Sequence, residues 1–132
     1  AIVLPDAVTR AGVGSRLSPG ARRRAVFVSS APEPGSTAQL RRFERSFRER
    51  FGRDPGPYAA VGYEAMRSVL AAIARAGADA GSRQAVIDAY FDPAQRSATL
   101  LGDYRITADG RREPAPFTTF RLAAGGRREY LG

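Results

Sequence analysis

Apolar residues come first in two short runs, "AIVLP" (Ala1–Pro5) and "AVFVSS" (Ala25–Ser30), each with the length and composition of a β-strand. Pro5 and Asp6 stop the first run, and "APEPGS" breaks the chain after the second. The residues between them, 7–25, are polar, basic and glycine-containing, and read as a loop with room for one helical turn. Within them "AGVGSRL" starts like a phosphate-cradling G-x-G-x-x-G, but Leu17 stands at the sixth position and no Rossmann-type helix follows, so it too reads as loop.

From Ser36 the period changes from two to 3.6. Ser36 and Gln39 have capping-box spacing, and Leu40, Phe43, Phe47 and Phe51 form one apolar stripe, with Gly52 at the left-handed stop. The turn "RDPGP" follows, and Pro57 suits the first position of a second helix running to Ala76, with Gly77 as its stop. Tyr58, Val61, Ala65, Met66, Val69, Leu70 and Ile73 make that helix apolar over a wide arc. Its alanine content and few charges predict burial on most sides, and Ala59, Ala60 and Gly62 leave room for a close backbone neighbour. Ser82 should cap a short third helix carrying Val86, Ile87, Tyr90 and Phe91, stopped by Asp92-Pro93. The tail then reads as a strand "TLLGDYRI", a turn at Asp109-Gly110, a strand "FTTFRL", a turn "AAGGR" and a short strand "REYL". Two strands, three helices and further strands predict a mixed α/β fold, with no internal repeat.

The 132 residues suit one ordinary domain, and 43% hydrophobic with 26% charged residues argue against bulk disorder. No apolar run approaches the roughly 18 residues that cross a bilayer. The chain opens without Met and without a signal-peptide pattern, inside a strand-like segment, which leads to the expectation of a processed or truncated piece. With no Cys and no His, thiol chemistry, thiolate metal sites, the commonest general base and the commonest transition-metal ligand are excluded. All 21 basic residues are Arg, so Schiff-base lysines are excluded as well. What remains is carboxylates, hydroxyls and guanidinium groups, and the expectation is a protein that is not an enzyme, with no cofactor and no metal.

A net charge of +8 raises nucleic acid as a partner. The arginines are dispersed, however, and along the first helix they alternate with Glu44 and Glu49 at spacings that permit Glu44–Arg48 and Arg45–Glu49 pairs. A solvated helix face is the better reading; zinc-finger spacing, a helix-turn-helix signature and aromatic RNA-binding motifs are all missing, so no nucleic acid is expected.

The order "FGRDP", "YAAVGYEAM", "LAAIARAG", "LLGDYRITADG" resembles the C-terminal portion of type I periplasmic solute-binding proteins, the receptors of ABC transporters for branched-chain amino acids and related solutes. The matching residues are Phe51, Gly52, Pro55, Tyr58, Ala59, Tyr63, Ala65, Arg75, Ala76, Gly77, Asp109 and Gly110, and "VLPDAV" resembles the family's Gly-Pro-acid-Gly stretch. Arg24-Ala25 departs from the Glu-Gly usual before the second strand. The resemblance implies part of a two-lobed, three-layer α/β/α fold. Residues 1–32 would belong to one lobe, 36–115 to the other, and 116–132 would return across the hinge. It implies an extracytoplasmic receptor that closes on an amino-acid-like ligand, with an ABC transporter permease and the N-terminal remainder of its own chain as partners. Members are about three times longer, so the chain would be a C-terminal fragment with an incomplete cleft, able to self-associate. The same fold also serves as a ligand-sensing domain of regulatory proteins. Three ligand-binding residues follow from the resemblance. Asp6 either accepts the ligand's ammonium group or caps the following turn, and Tyr58 and Tyr63 either face the cleft or only the core.

Overall fold

The computed structural model describes residues 1–10, 16–92, 99–115, 117–123 and 126–131. In chain order its elements are β1 (Ile2–Pro5), α1 (Ala7–Arg10), α2 (Pro19–Arg24), β2 (Ala25–Ser29), α3 (Ala38–Phe51), α4 (Ala59–Ala76), a 3-10 turn (Gly77–Asp79), α5 (Arg83–Phe91), β3 (Arg105–Ile106), β4 (Arg112–Glu113), β5 (Thr118–Leu122) and β6 (Arg128–Tyr130). They fall into two compact units, residues 1–33 with 116–132 and residues 34–115.

The first unit is built on a four-stranded sheet in the order β1-β2-β5-β6. β1 and β2 are parallel, with Ile2 opposite Ala25 and Pro5 opposite Val28, whereas β2–β5 and β5–β6 are antiparallel. A parallel pair needs a crossover, and the segment expected to be loop supplies it with α1 and α2, which corrects the sequence reading. Ser18 starts α2 by accepting a hydrogen bond from Ala21 N (3.2 Å), Pro19 follows at the first helical position, and Arg22–Arg24 occupy the last turn, where cations suit the helix dipole. The phosphate-loop-like stretch lies mostly outside the described residues.

Register explains the core of this unit. Phe27 pairs with Phe120, and Phe120 with Tyr130, so three aromatic side chains lie side by side across three strands. The Phe27 and Phe120 rings stack with centroids 5.4 Å apart, both fully buried together with Ala25, and Leu4, Leu17 and Tyr130 pack around them. The Arg128 guanidinium sits 4.5 Å from the Phe120 centroid, a cation over a π face.

In the second unit α3 starts one residue later than the capping box requires. Thr37 is the N-cap, its hydroxyl accepting from Leu40 N (3.1 Å), so the third helical position is Leu40 and cannot complete a box. Glu44, whose spacing permits a pair with Arg48, accepts from Gly35 N (2.9 Å), and Arg48 pairs with Asp54 across the turn. Gly52 ends the helix at φ 65°, ψ 14°, its N–H donating to Arg48 O. A Val there would be forced into the left-handed region, and Gly52→Val should cost about 1 kcal/mol or more; an unchanged thermal midpoint would overturn this placement of the helix end.

α4 starts at Ala59 with Tyr58 as N-cap, so Pro57 stands just outside the first helical position. Burial on most sides is not what the chain shows. Ala60, Glu64 and Ala72 are buried, while Tyr63, Met66, Val69, Leu70 and Ile73 on the opposite side are exposed. At 100° per residue these are two distinct faces, and α5 and the neighbouring loops use one of them. α5 has the expected cap, Ser82 Oγ accepting from Ala85 N (3.3 Å). In the tail, the long strand expected over residues 99–106 shrinks to Arg105–Ile106, because Thr99 folds the preceding residues into a turn: Gly102 N donates to Thr99 O and Thr99 Oγ1 to Gly102 O. β3 pairs with β4 around the expected turn at Asp109-Gly110, where Gly110 adopts φ 81°.

Candidate functional site

Parallel strands leave their ligand-facing groups at their carboxyl ends. In the first unit that end is polar. Asp6 follows β1, and its N–H donates to Val28 O (3.0 Å), continuing the ladder to β2. Its Oδ2 accepts from Ser29 Oγ at 2.8 Å, and the same Ser29 oxygen accepts from Ala31 N at 3.0 Å. From the far side of β2, Thr118 Oγ1 donates to Ala31 O (2.8 Å), with Ser29 O at 3.3 Å. Asp6 is 7% exposed and Ser29 2%. A buried carboxylate is costly unless hydrogen bonds replace its water, and the serine supplies one of them. The result is a carboxyl group fixed at a strand end, held by the Ser29 side chain of β2, which the backbone of the following bend holds in turn.

Asp6 therefore stands where the sequence placed it, at the end of the first strand. Ser29 and Thr118 were missed, although the pair Ser29-Ser30 closing an otherwise apolar strand was a visible signal. Tyr58 and Tyr63 belong to the second unit. Tyr58 is half-buried at the N-cap of α4, without a side-chain cap bond, and Tyr63 is 52% exposed with its ring 5.2 Å from Phe43. Five residues apart, they point to different sides of the helix.

The second unit also holds a cavity of about 130 Å³ between α4, the end of α5 and β3. At its wall the buried Glu64 accepts from Arg67 (3.0 Å) and from Leu100 N (3.3 Å). This bond to Glu64 is the main reason that the Arg67 guanidinium is raised above its ordinary value, against an opposing desolvation. Ser68 Oγ lies 2.9 Å from Glu64 O, to which it donates; having one proton, it must accept from the Tyr104 hydroxyl at 3.2 Å. Burial, with Tyr104 adding to it, raises Tyr90 above the usual phenol range. The charged groups here largely satisfy one another, so this wall reads as the clamp that joins helix to loop. Among the described residues no group of three or more carboxylates is placed to hold a metal ion. Nor is any helix among them long and apolar enough to cross a membrane.

No protein-family model and no curated protein matches this chain, but solved structures do. The chain has the fold of part of an ABC transporter solute-binding protein, as the type I resemblance implied. It is similar to a solute-binding protein from R. palustris solved with benzoate, at 22% identity and TM-score 0.67, over 82% of this chain and 29% of that one. It is also similar to a substrate-binding protein from Desulfitobacterium hafniense in complex with Leu (21%, TM-score 0.68, over 81% and 31%). A leucine binding protein from Thermotoga maritima gives 20% and TM-score 0.66, over 82% and 30%. The chain thus spans about three tenths of the length of the solved proteins it matches.

Proposed function

We propose that this chain is part of an extracytoplasmic receptor that binds a small amino-acid-like solute for an ABC transporter, acting by closure around the ligand without chemistry. In this reading the unit of residues 1–33 and 116–132 belongs to one lobe and the unit of residues 34–115 to the other, and the remaining polypeptide completes the cleft. The observation that carries it is the Asp6 carboxylate, held at the end of a parallel strand pair in a fold shared with proteins solved with leucine and with benzoate. A carboxylate in a closing cleft accepts an ammonium group through a charge-assisted bond worth about 1.5–3 kcal/mol. That favours an amino acid over a plain carboxylate such as benzoate, which Asp6 would repel. Tyr58 and Tyr63 are the aromatic contacts of the same reading, on the other unit.

The test is calorimetry on the intact protein with leucine as the probe. Asp6→Asn should weaken binding at least about tenfold and leave the fold stable. Equal affinity for both forms would remove Asp6 from the site.

A further inference from the structure

The Asp6 carboxylate does not hold its own position. Ser29 Oγ donates to its Oδ2 (2.8 Å), Ala31 N–H donates in turn to that Ser29 oxygen (3.0 Å), and the backbone N–H of Asp6 ties the residue to β2 through Val28 O (3.0 Å). A serine hydroxyl has one proton and two lone pairs. With Ala31 N–H occupying a lone pair, the proton is directed at the carboxylate, and Ser29 is 2% exposed, so no bulk water competes for it. The next residue along, Ser30, is exposed and carries no such constraint.

From this geometry we infer that Ser29 is a positioning residue: its hydroxyl sets the rotamer of the Asp6 carboxylate and so presents it to an ammonium-bearing ligand. The inference rests on the reading of Asp6 as the ammonium acceptor. Ser29 itself touches no ligand in this scheme; it acts through Asp6. Thr118, which bonds the carbonyls of Ser29 and Ala31, fixes the backbone from which the serine donates.

A double-mutant cycle separates this role from a merely structural one. Leucine affinity is measured by calorimetry for the intact protein, for Ser29→Ala and Ser29→Cys, and for each again in the Asp6→Asn background. Ser29→Cys keeps nearly the same volume but donates weakly, so it reports even if the alanine variant fails to fold. With Asp6 present, both substitutions should lower leucine affinity about fivefold; in the Asp6→Asn background, where the carboxylate is gone, they should change it less than about twofold. A loss of the same size in both backgrounds, or no loss with Asp6 present, overturns the positioning role and leaves Asp6 in the site. An Asp6→Asn protein that binds leucine like the parent overturns the site itself and the inference with it.

Discussion

Phe27→Ala should destabilise the protein by about 3–5 kcal/mol, the range for truncating a fully buried aromatic residue. The ring is wholly excluded from solvent, on the central β2 strand, and stacks on Phe120, its cross-strand partner. Removing it leaves a void beside Phe120, which then loses the stacking face while keeping Tyr130 on its other side at 5.7 Å. A four-stranded sheet with strands of three to five residues has little other apolar area to redistribute. For a chain of this size the loss corresponds to a fall in thermal midpoint on the order of 10–20 °C. Val3→Ala, on the edge strand and 67% exposed, is the control and should stay within about 0.5 kcal/mol of the parent. Similar midpoints for the two variants would mean that the sheet register places the core elsewhere.

A second large effect is expected in assembly. Met66, Leu70 and Ile73 stand on one side of α4, at 59%, 57% and 39% exposure, and Tyr63 and Val69 widen the strip. Contiguous apolar surface of this kind promotes association. The solved proteins of the same fold are about three times as long, and under the function proposed above further polypeptide would cover this face. The chain of 132 residues studied alone should therefore self-associate at high concentration, eluting and scattering light as species larger than 14.2 kDa. Replacing Met66 and Leu70 with Glu should return it to a monomer with unchanged helix content, since neither side chain supports the buried face of α4. A monodisperse monomer from the unaltered chain would remove this face as an interaction surface.

Local signals told where elements lie, and less about which side of them is covered. The apolar stripe of α3, its stop at Gly52 and the cap at Ser82 were legible because each is a short-range pattern: a period of 3.6, one residue able to adopt positive φ, one hydroxyl three residues from an amide. The cap of α3 was misread by one residue because Ser36 and Thr37 are both competent, and the neighbouring backbone chose Thr37. α2 was hidden in a basic segment whose charges masked a Ser-Pro helix start. The tail strand was read too long because residues 99–102 are apolar enough for a strand, yet the Thr99 hydroxyl and backbone bond locally to Gly102.

What the amino-acid order determined by itself is therefore the strands β1, β2 and β5, the three longer helices α3–α5, the mixed α/β class and the placing of Asp6 at a strand end. Propensity, periodicity and turn chemistry act within a few residues and need no partner to be read. Only tertiary structure decided that Ser29, 23 residues away, donates to Asp6, and that Thr118, 87 residues from Ala31, locks the bend behind it. It also decided that Glu64, not the apolar stripe of α4, faces the interior of its unit. The first two depend on which strands pair and in what register, since a shift of one residue would turn Ser29 and Thr118 to the opposite face of the sheet, and the third on which face of α4 its neighbours cover.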